Sequence, residues 1–264
     1  MSDLRIGVVI PAAGDSRRFG GDKIGQDLGG RAMLLRTVEL FTKRDEVRAI
    51  VVAAPPDRID DFRSRHGAQL SFHGVQIVEG GRIERWETVR NALAAVPEEC
   101  THIAVHDAAR PAASDDLLSR LFEAAKVLDA VIPGVAVSST LKRVSDEAVE
   151  AEEHDDVADA ILGDIAETTR ARGRRVTETV PRQGVVAVQT PQVFRAELLR
   201  RAYAQGDLSG ATDDAQLVER LGEPVFVIEG EARNIKVTTP SDLSLVRAIL
   251  GVREPEGRPT HKRF

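Results

Sequence analysis

The chain has 264 residues, 42 of them acidic and 36 Lys or Arg, with a formal net charge of −6 and 42% hydrophobic residues. That balance suits a soluble chain of one α/β domain or two small ones, with a sizeable core, and gives no bulk support for coating nucleic acid. No apolar run approaches the ~20 residues that span a bilayer, and the single cysteine, Cys100, excludes an intrachain disulfide and a cysteine-based zinc site.

The first strand is read at Ile6-Gly7-Val8-Val9-Ile10, a short apolar run of the kind buried on both faces of a parallel sheet. It begins so near Met1 that no signal peptide precedes it, and a cytoplasmic location is expected. The strand empties into Pro11-Ala12-Ala13-Gly14, followed by Arg17, Arg18 and Lys23. Small residues let backbone N–H groups come close to a ligand, and the cations stand where phosphates would sit. The stretch therefore reads as a polyanion site at the carboxyl end of a strand. Neither G-x-G-x-x-G nor G-x-x-x-x-G-K-[ST] occurs here, so the two commonest phosphate loops are excluded.

A helical period follows from Met33 to Lys43, then strands at Ala49–Ala53 and Val75–Val78 with a helix at Asp57–His66 between them. Glu79-Gly80-Gly81-Arg82 leads into a helix carrying Arg85, Trp86, Thr88, Val89 and Leu93. The fourth strand, His102–His106, ends in Asp107-Ala108-Ala109-Arg110-Pro111, again placing charge at the sheet's rim. His106 itself reads as structural rather than as a base. Ser114 caps a helix to about Leu128, and Ala130–Val137 is the fifth strand. Strand and helix alternate throughout, which predicts right-handed crossovers and a mostly parallel sheet flanked by helices.

Between Ser138 and Arg182 the pattern changes. Thr140–Val144 and Arg175–Val180 read as short extended pieces of a projecting arm, with a charged helical insertion at about 146–174. Eight acids from Asp146 to Asp159 lead to a helix ending near Thr169, then Arg170, Arg172, Arg174 and Arg175. Such charge runs favour a solvated face. The main domain resumes at Val185–Val188. Thr212 is read as a cap with Asp213 and Asp214 in the first turn, and Ser241 with Asp242 as the start of the last helix. Asn234–Val237 reads as a strand in which an unpaired Lys236 would be costly.

Seven pieces occur in order: Pro11-Ala12-Ala13-Gly14 with Arg17, Arg18 and Lys23; His106-Asp107-Ala108-Ala109-Arg110-Pro111; Thr140-Leu141-Lys142-Arg143; Val180-Pro181-Arg182; Thr190-Pro191-Gln192; Thr212-Asp213-Asp214; and Asn234-Ile235-Lys236-Val237-Thr238. In this order they make the chain resemble the 2-C-methyl-D-erythritol 4-phosphate cytidylyltransferase family, over about residues 5–250 less the insertion.

The resemblance implies a single Rossmann-like nucleotidyltransferase domain at 1–252 that bears the arm at 138–182, and the Pro-, Gly- and Arg-rich residues 253–264 are expected to form a mobile tail. It implies cytidylyl transfer from CTP to a polyol phosphate with Mg²⁺, and a homodimer formed through the arm, without nucleic acid or membrane as partner. On this resemblance Pro11, Ala12, Ala13, Gly14, Gly81, Arg85 and Thr88 bind CTP, and Arg18 and Lys23 stabilise the transition state. Arg182 and Lys236 position the acceptor's phosphate, and Asp107, Arg110, Thr140 and Thr190 line the acceptor pocket, with Asp107 also a metal ligand. Two other readings stay open: transfer to another polyol phosphate such as ribitol 5-phosphate, and a nucleotide-binding homologue without turnover.

Overall fold

Runs of Val, Ile and Ala, four to eight residues long, lay down the strands of the main sheet in a computed structural model that describes residues 4–14, 19–153 and 169–252. In chain order the strands are β1 (Ile6–Pro11), β2 (Val47–Ala54), β3 (Gln76–Glu79), β4 (His102–Val105), β5 (Ala130–Ala136), β6 (Leu141–Glu153), β7 (Thr169–Val180), β8 (Val186–Val188), β9 (Gln192–Arg195) and β10 (Phe226–Glu229). The α-helices are α1 (Met33–Glu39), α2 (Ile59–Phe72), α3 (Arg85–Leu93), α4 (Asp115–Ala125), α5 (Ala196–Tyr203), α6 (Asp214–Glu219) and α7 (Pro240–Ile249). None is long and apolar enough to cross a membrane, among the described residues.

The chain forms two compact units, Met1–Val135 with Val188–Phe264, and Ala136–Ala187. The main sheet runs in the order β10-β5-β9-β4-β1-β2-β3. Among these seven strands the pairings are parallel except those of β9, which lies antiparallel between β4 and β5. Strand β1 has the two-sided burial its composition predicts. Ile6, Val8 and Ile10 face a core shared with α1, α2 and α4, while Val9 faces one shared with α3, α5 and α6. A Cβ on Gly7 would stand 2.4 Å from Val96 Cγ1, so β1 lies too close to the segment after α3 to admit a side chain there. The result is a three-layer sandwich whose parallel strands β1, β2, β3 and β4 share one carboxyl rim. A third, smaller core joins Leu28, Met33 and Ala109 to Val237, Leu243 and Val246, and it fastens the segment before α7 beside the loop after β4.

Several sequence expectations are corrected. Asn234–Val237 is not a strand. The segment runs beside the post-β4 loop, tied by Val237 N–H to the Ala109 carbonyl (2.9 Å), and Lys236 is half-exposed and ion-paired rather than buried in a ladder. The last helix starts one residue earlier than Ser241. Thr239 is its N-cap, Pro240 opens its first turn, and Asp242 completes a capping box. On α6 the cap is Asp213, not Thr212, its carboxylate accepting from Gln216 N–H at 3.0 Å. Ser114 caps α4 as read.

The arm unit differs most. Its strands β6 and β7 are 13 and 12 residues long, running through much of the segment read as a helical insertion. The reason lies in the side chains that face across the hairpin: Glu150 is opposite Arg172, and Arg143 opposite Glu178. Opposite charges facing each other across the two strands stabilise an antiparallel ladder, where each strand alone reads only as a charge run. The helix expected to end near Thr169, the tail at 253–264 and the pair Arg17 and Arg18 lie outside the described residues.

Candidate active site

At the rim, four loops converge on a cavity of about 340 Å³. Pro11, Ala12, Ala13 and Gly14 come from the end of β1, and Lys23 and Ile24 from the turn before α1. Gly81, Arg85 and Thr88 come from the β3–α3 junction, Asp107 to Ala109 from the end of β4, and Lys236 from the segment before α7. Every one of these elements belongs to the main unit.

The β3–α3 junction shows how tightly sequence sets shape. A Cβ on Gly80 would lie 2.7 Å from Ala13 Cβ, and one on Gly81 2.3 Å from Glu87 Cβ. Only glycine lets the β1 loop, β3 and α3 meet this closely. Gly81 N–H donates to Thr88 Oγ1 at 3.0 Å, and the Glu87 carboxylate accepts from the N–H groups of Ile83 and Glu84, each at 3.0 Å. With the Glu84 side chain accepting in return, this is a capping box that fixes the first turn of α3 against the cavity. These residues gave no capping signal in the sequence, because a Glu cap is uncommon.

Asp107 is the electrostatic centre. Lys236 Nζ lies 3.0 Å from its Oδ2, Arg110 Nε donates to the same oxygen at 3.3 Å, and Arg85 Nη2 stands 3.9 Å from Oδ1. Burial disfavours the ionised carboxyl, but Lys236, Arg85 and Arg110 together outweigh it and hold Asp107 well below the ordinary carboxylate range. Arg110 in turn donates to the Asn234 carbonyl at 2.6 Å, and Asn234 Nδ2 donates to the Thr190 carbonyl at 2.9 Å. These bonds fix the Lys236 segment to the Asp107 loop.

His106 is fully buried between fixed partners. Its Nε2 lies 3.0 Å from the Arg110 carbonyl, which can only accept, so Nε2 carries the proton. Its Nδ1 then accepts from the Thr190 hydroxyl at 3.1 Å, and that oxygen accepts from Asp107 N–H at 3.0 Å. Burial drives the His106 pKa down to about 4, against the weaker opposing pull of the Arg110 carbonyl and Asp107. The ring is neutral and both nitrogens are occupied, which matches its reading as structural.

Of the expected site residues, Pro11, Ala12, Ala13, Gly14, Lys23, Gly81, Arg85, Thr88, Asp107 and Lys236 line one cavity. Arg110 and Thr190 do not line it; both are buried beside Asp107 and hold it in place. Thr140 and Arg182 are exposed on the arm unit. Sequence reasoning missed the role of Asp214, which is fully buried and takes both terminal nitrogens of Arg85 at 3.0 and 2.7 Å. It also missed Tyr203, whose hydroxyl donates to that carboxylate. The signal was present in Thr212-Asp213-Asp214, but an acid in a first turn has a simpler explanation in the helix dipole.

A small-residue loop, a fixed carboxylate and cations from distant segments, gathered at the carboxyl rim of an α/β sheet, define the chain as a nucleotidyltransferase. Comparison with known proteins narrows the class. The family model of 2-C-methyl-D-erythritol 4-phosphate cytidylyltransferase matches residues 6–160 and 145–252. The chain belongs to that family. A relative of that name from Frankia casuarinae is 42% identical over 256 residues, covering 95% of this chain and 83% of the relative. One from Dehalococcoides mccartyi is 34% identical over 247 residues, covering 93% and 96%. The solved Thermus thermophilus cytidylyltransferase superposes with a TM-score of 0.67 at 32% identity, over 93% of this chain and 98% of that one. The 4-diphosphocytidyl-2C-methyl-D-erythritol synthase from Anaerococcus prevotii gives 0.71 at 26%, over 95% and 100%.

Proposed function

We propose that the chain transfers the cytidylyl group of CTP to 2-C-methyl-D-erythritol 4-phosphate and releases pyrophosphate, a step of non-mevalonate isoprenoid synthesis. The observation that carries this reading is the meeting of the β1 loop, Gly81, Thr88, Lys23, Asp107 and Lys236 in one cavity of a chain of this family.

In the reaction, a phosphate oxygen of the acceptor attacks the α-phosphorus of CTP. The new P–O bond forms as the bond to the bridging oxygen breaks, and the electron pair leaves with pyrophosphate. The nucleophile is already an anion near neutral pH, so no general base is required. The rim agrees, since the histidine that stands there, His106, is neutral and fully hydrogen-bonded. The difficulty is bringing two anions together, and cations supply the answer. Lys23, with Arg18, neutralises charge growing on the transferred phosphoryl group. Lys236, with Arg182, holds the acceptor phosphate, and Thr140 contacts the acceptor.

Mg²⁺ belongs to this proposal as a companion of the triphosphate, where it supplies charge neutralisation. Among the described residues no three His, Cys, Asp or Glu side chains cluster as a ligand set. Asp107, expected as a metal ligand, is engaged by Lys236 and Arg110, and Glu84 is engaged in the α3 cap. Among the described residues the donors therefore do not form a resident metal site.

A homodimer with arm residues serving the neighbouring subunit, and a cytoplasmic location, complete the proposal. A two-stranded hairpin is marginal by itself, and this one exposes Val144, Val149 and Val176, which supports a partner for the arm. A pyrophosphate-release assay pairing CTP, ATP, GTP and UTP with 2-C-methyl-D-erythritol 4-phosphate and with ribitol 5-phosphate tests the reading. Turnover is expected with CTP and the methylerythritol acceptor; preference for the ribitol acceptor, or no turnover with any pair, would replace it.

A further inference from the structure

Asp214 has no part in the chemistry above, yet its carboxylate is fully buried and built into the site's frame. Arg85 presents both terminal nitrogens to it, at 3.0 and 2.7 Å, and Tyr203 from α5 donates its hydroxyl to the same group. The other side of Arg85 Nη2 faces Asp107 at 3.9 Å, and Asp107 holds Lys236 at 3.0 Å. One guanidinium thus stands between two carboxylates, and one of those carries an ammonium that lines the cavity. An arginine without its own partner would close on Asp107 in the bidentate geometry that guanidinium and carboxylate prefer. It would then compete directly with Lys236.

Resting on the cytidylyltransferase reading, we propose that Asp214, fixed by Tyr203, is a positioning residue. It keeps Arg85 off Asp107 and so leaves Asp107 to aim Lys236 into the cavity. Neither Asp214 nor Tyr203 touches substrate; both act through Arg85. The arrangement also explains why Arg85 lines a nucleotide cavity with its terminal nitrogens already engaged.

The test combines kinetics with a readout that needs no turnover. Asp214→Asn should lower kcat/KM for the acceptor phosphate by at least about ten-fold, the scale seen when a supporting hydrogen-bond partner is lost, and leave KM for CTP within about three-fold. Tyr203→Phe should shift the same parameter less. The double variant Arg85→Met with Asp214→Leu removes the guanidinium and its carboxylate together and leaves an apolar pair, an exchange that buried ion pairs often tolerate. Because Arg85 also lines the nucleotide cavity, this variant is read by the accessibility of Lys236 and not by turnover. In parallel, the rate at which an amine-acylating reagent modifies Lys236, read by mass spectrometry on the folded protein, should rise several-fold in Asp214→Asn and return toward wild type in the double variant. An Asp214→Asn protein with wild-type kinetics and wild-type Lys236 modification overturns the proposal, as does a double variant whose Lys236 modification is no nearer wild type than that of Asp214→Asn. A wild-type protein that turns over no CTP pair would sink the cytidylyltransferase reading instead, while Lys236 modification would still decide the positioning role.

Discussion

The sheet rim and the arm both rely on ion pairs, but under opposite conditions. At the rim, Asp107 and Asp214 are buried and each is held by more than one partner. On the arm, Arg143 pairs with Glu178 at 3.1 Å and Arg172 with Glu150 at 3.7 Å, yet all four side chains are more than half exposed. Water screens the arm's pairs and pays their desolvation, whereas at the rim an ion left without its partner has no solvent to replace it. The same residue types therefore specify a site in one region and only a strand register in the other.

Breaking the rim should have the largest consequence. Asp107→Asn takes the counter-charge from Lys236 and Arg110, while Arg85 keeps Asp214. It should destabilise the fold by about 3–5 kcal/mol in urea unfolding, as loss of one member of a buried ion cluster does, and abolish measurable pyrophosphate release. Lys23→Ala removes a cation without opening the buried cluster. It should lower kcat by roughly 10²–10³, the cost of losing one group that stabilises transition-state charge, with a smaller change in CTP affinity by calorimetry. A kcat unaffected by the change would reassign Lys23.

Acid should separate the regions further. His106 has a folded pKa of about 4 against an ordinary 6.5, so between those values the unfolded chain binds the proton and the native one does not. Stability from this group is intact above pH 6.5 and is lost as pH falls toward 4, by about 3 kcal/mol in all. Urea midpoints at pH 7, 5.5 and 4 would show it, and a flat profile would mean the ring is not held neutral. The smallest effect belongs to the arm. Glu150→Ala or Arg172→Ala should change stability by less than about 0.5 kcal/mol, and a larger loss would mean the hairpin's charges are covered in the assembled protein.

Much of the site could be read from the chain because local chemistry carries it. A Val/Ile run ending in Pro11-Ala12-Ala13-Gly14 requires a strand and a close-approach loop, and that is where the cavity opens. Asp107 and Lys236 were both legible as site residues, though 129 positions separate them, because each stands in a distinctive short run. Their direct pairing was not legible, nor was the placement of Lys236 outside any strand. Arg110 and Thr190 read as substrate contacts; the bonds they make around Asp107 were not legible, since a polar side chain looks the same in sequence whether it faces ligand or backbone. The arm's strands were hidden for a related reason: their charges make sense only when each strand is seen against the other.

The sequence by itself determined the periodicities, the glycine and proline punctuation, and the short runs that identify the family; these depend on neighbours within a few residues. The tertiary structure alone decided that Asp214 answers Arg85, that Asp107 answers Lys236, and that His106 is kept neutral. Those outcomes depend on burial and on the direction of side chains brought together from separate strands and helices, and no local pattern encodes either.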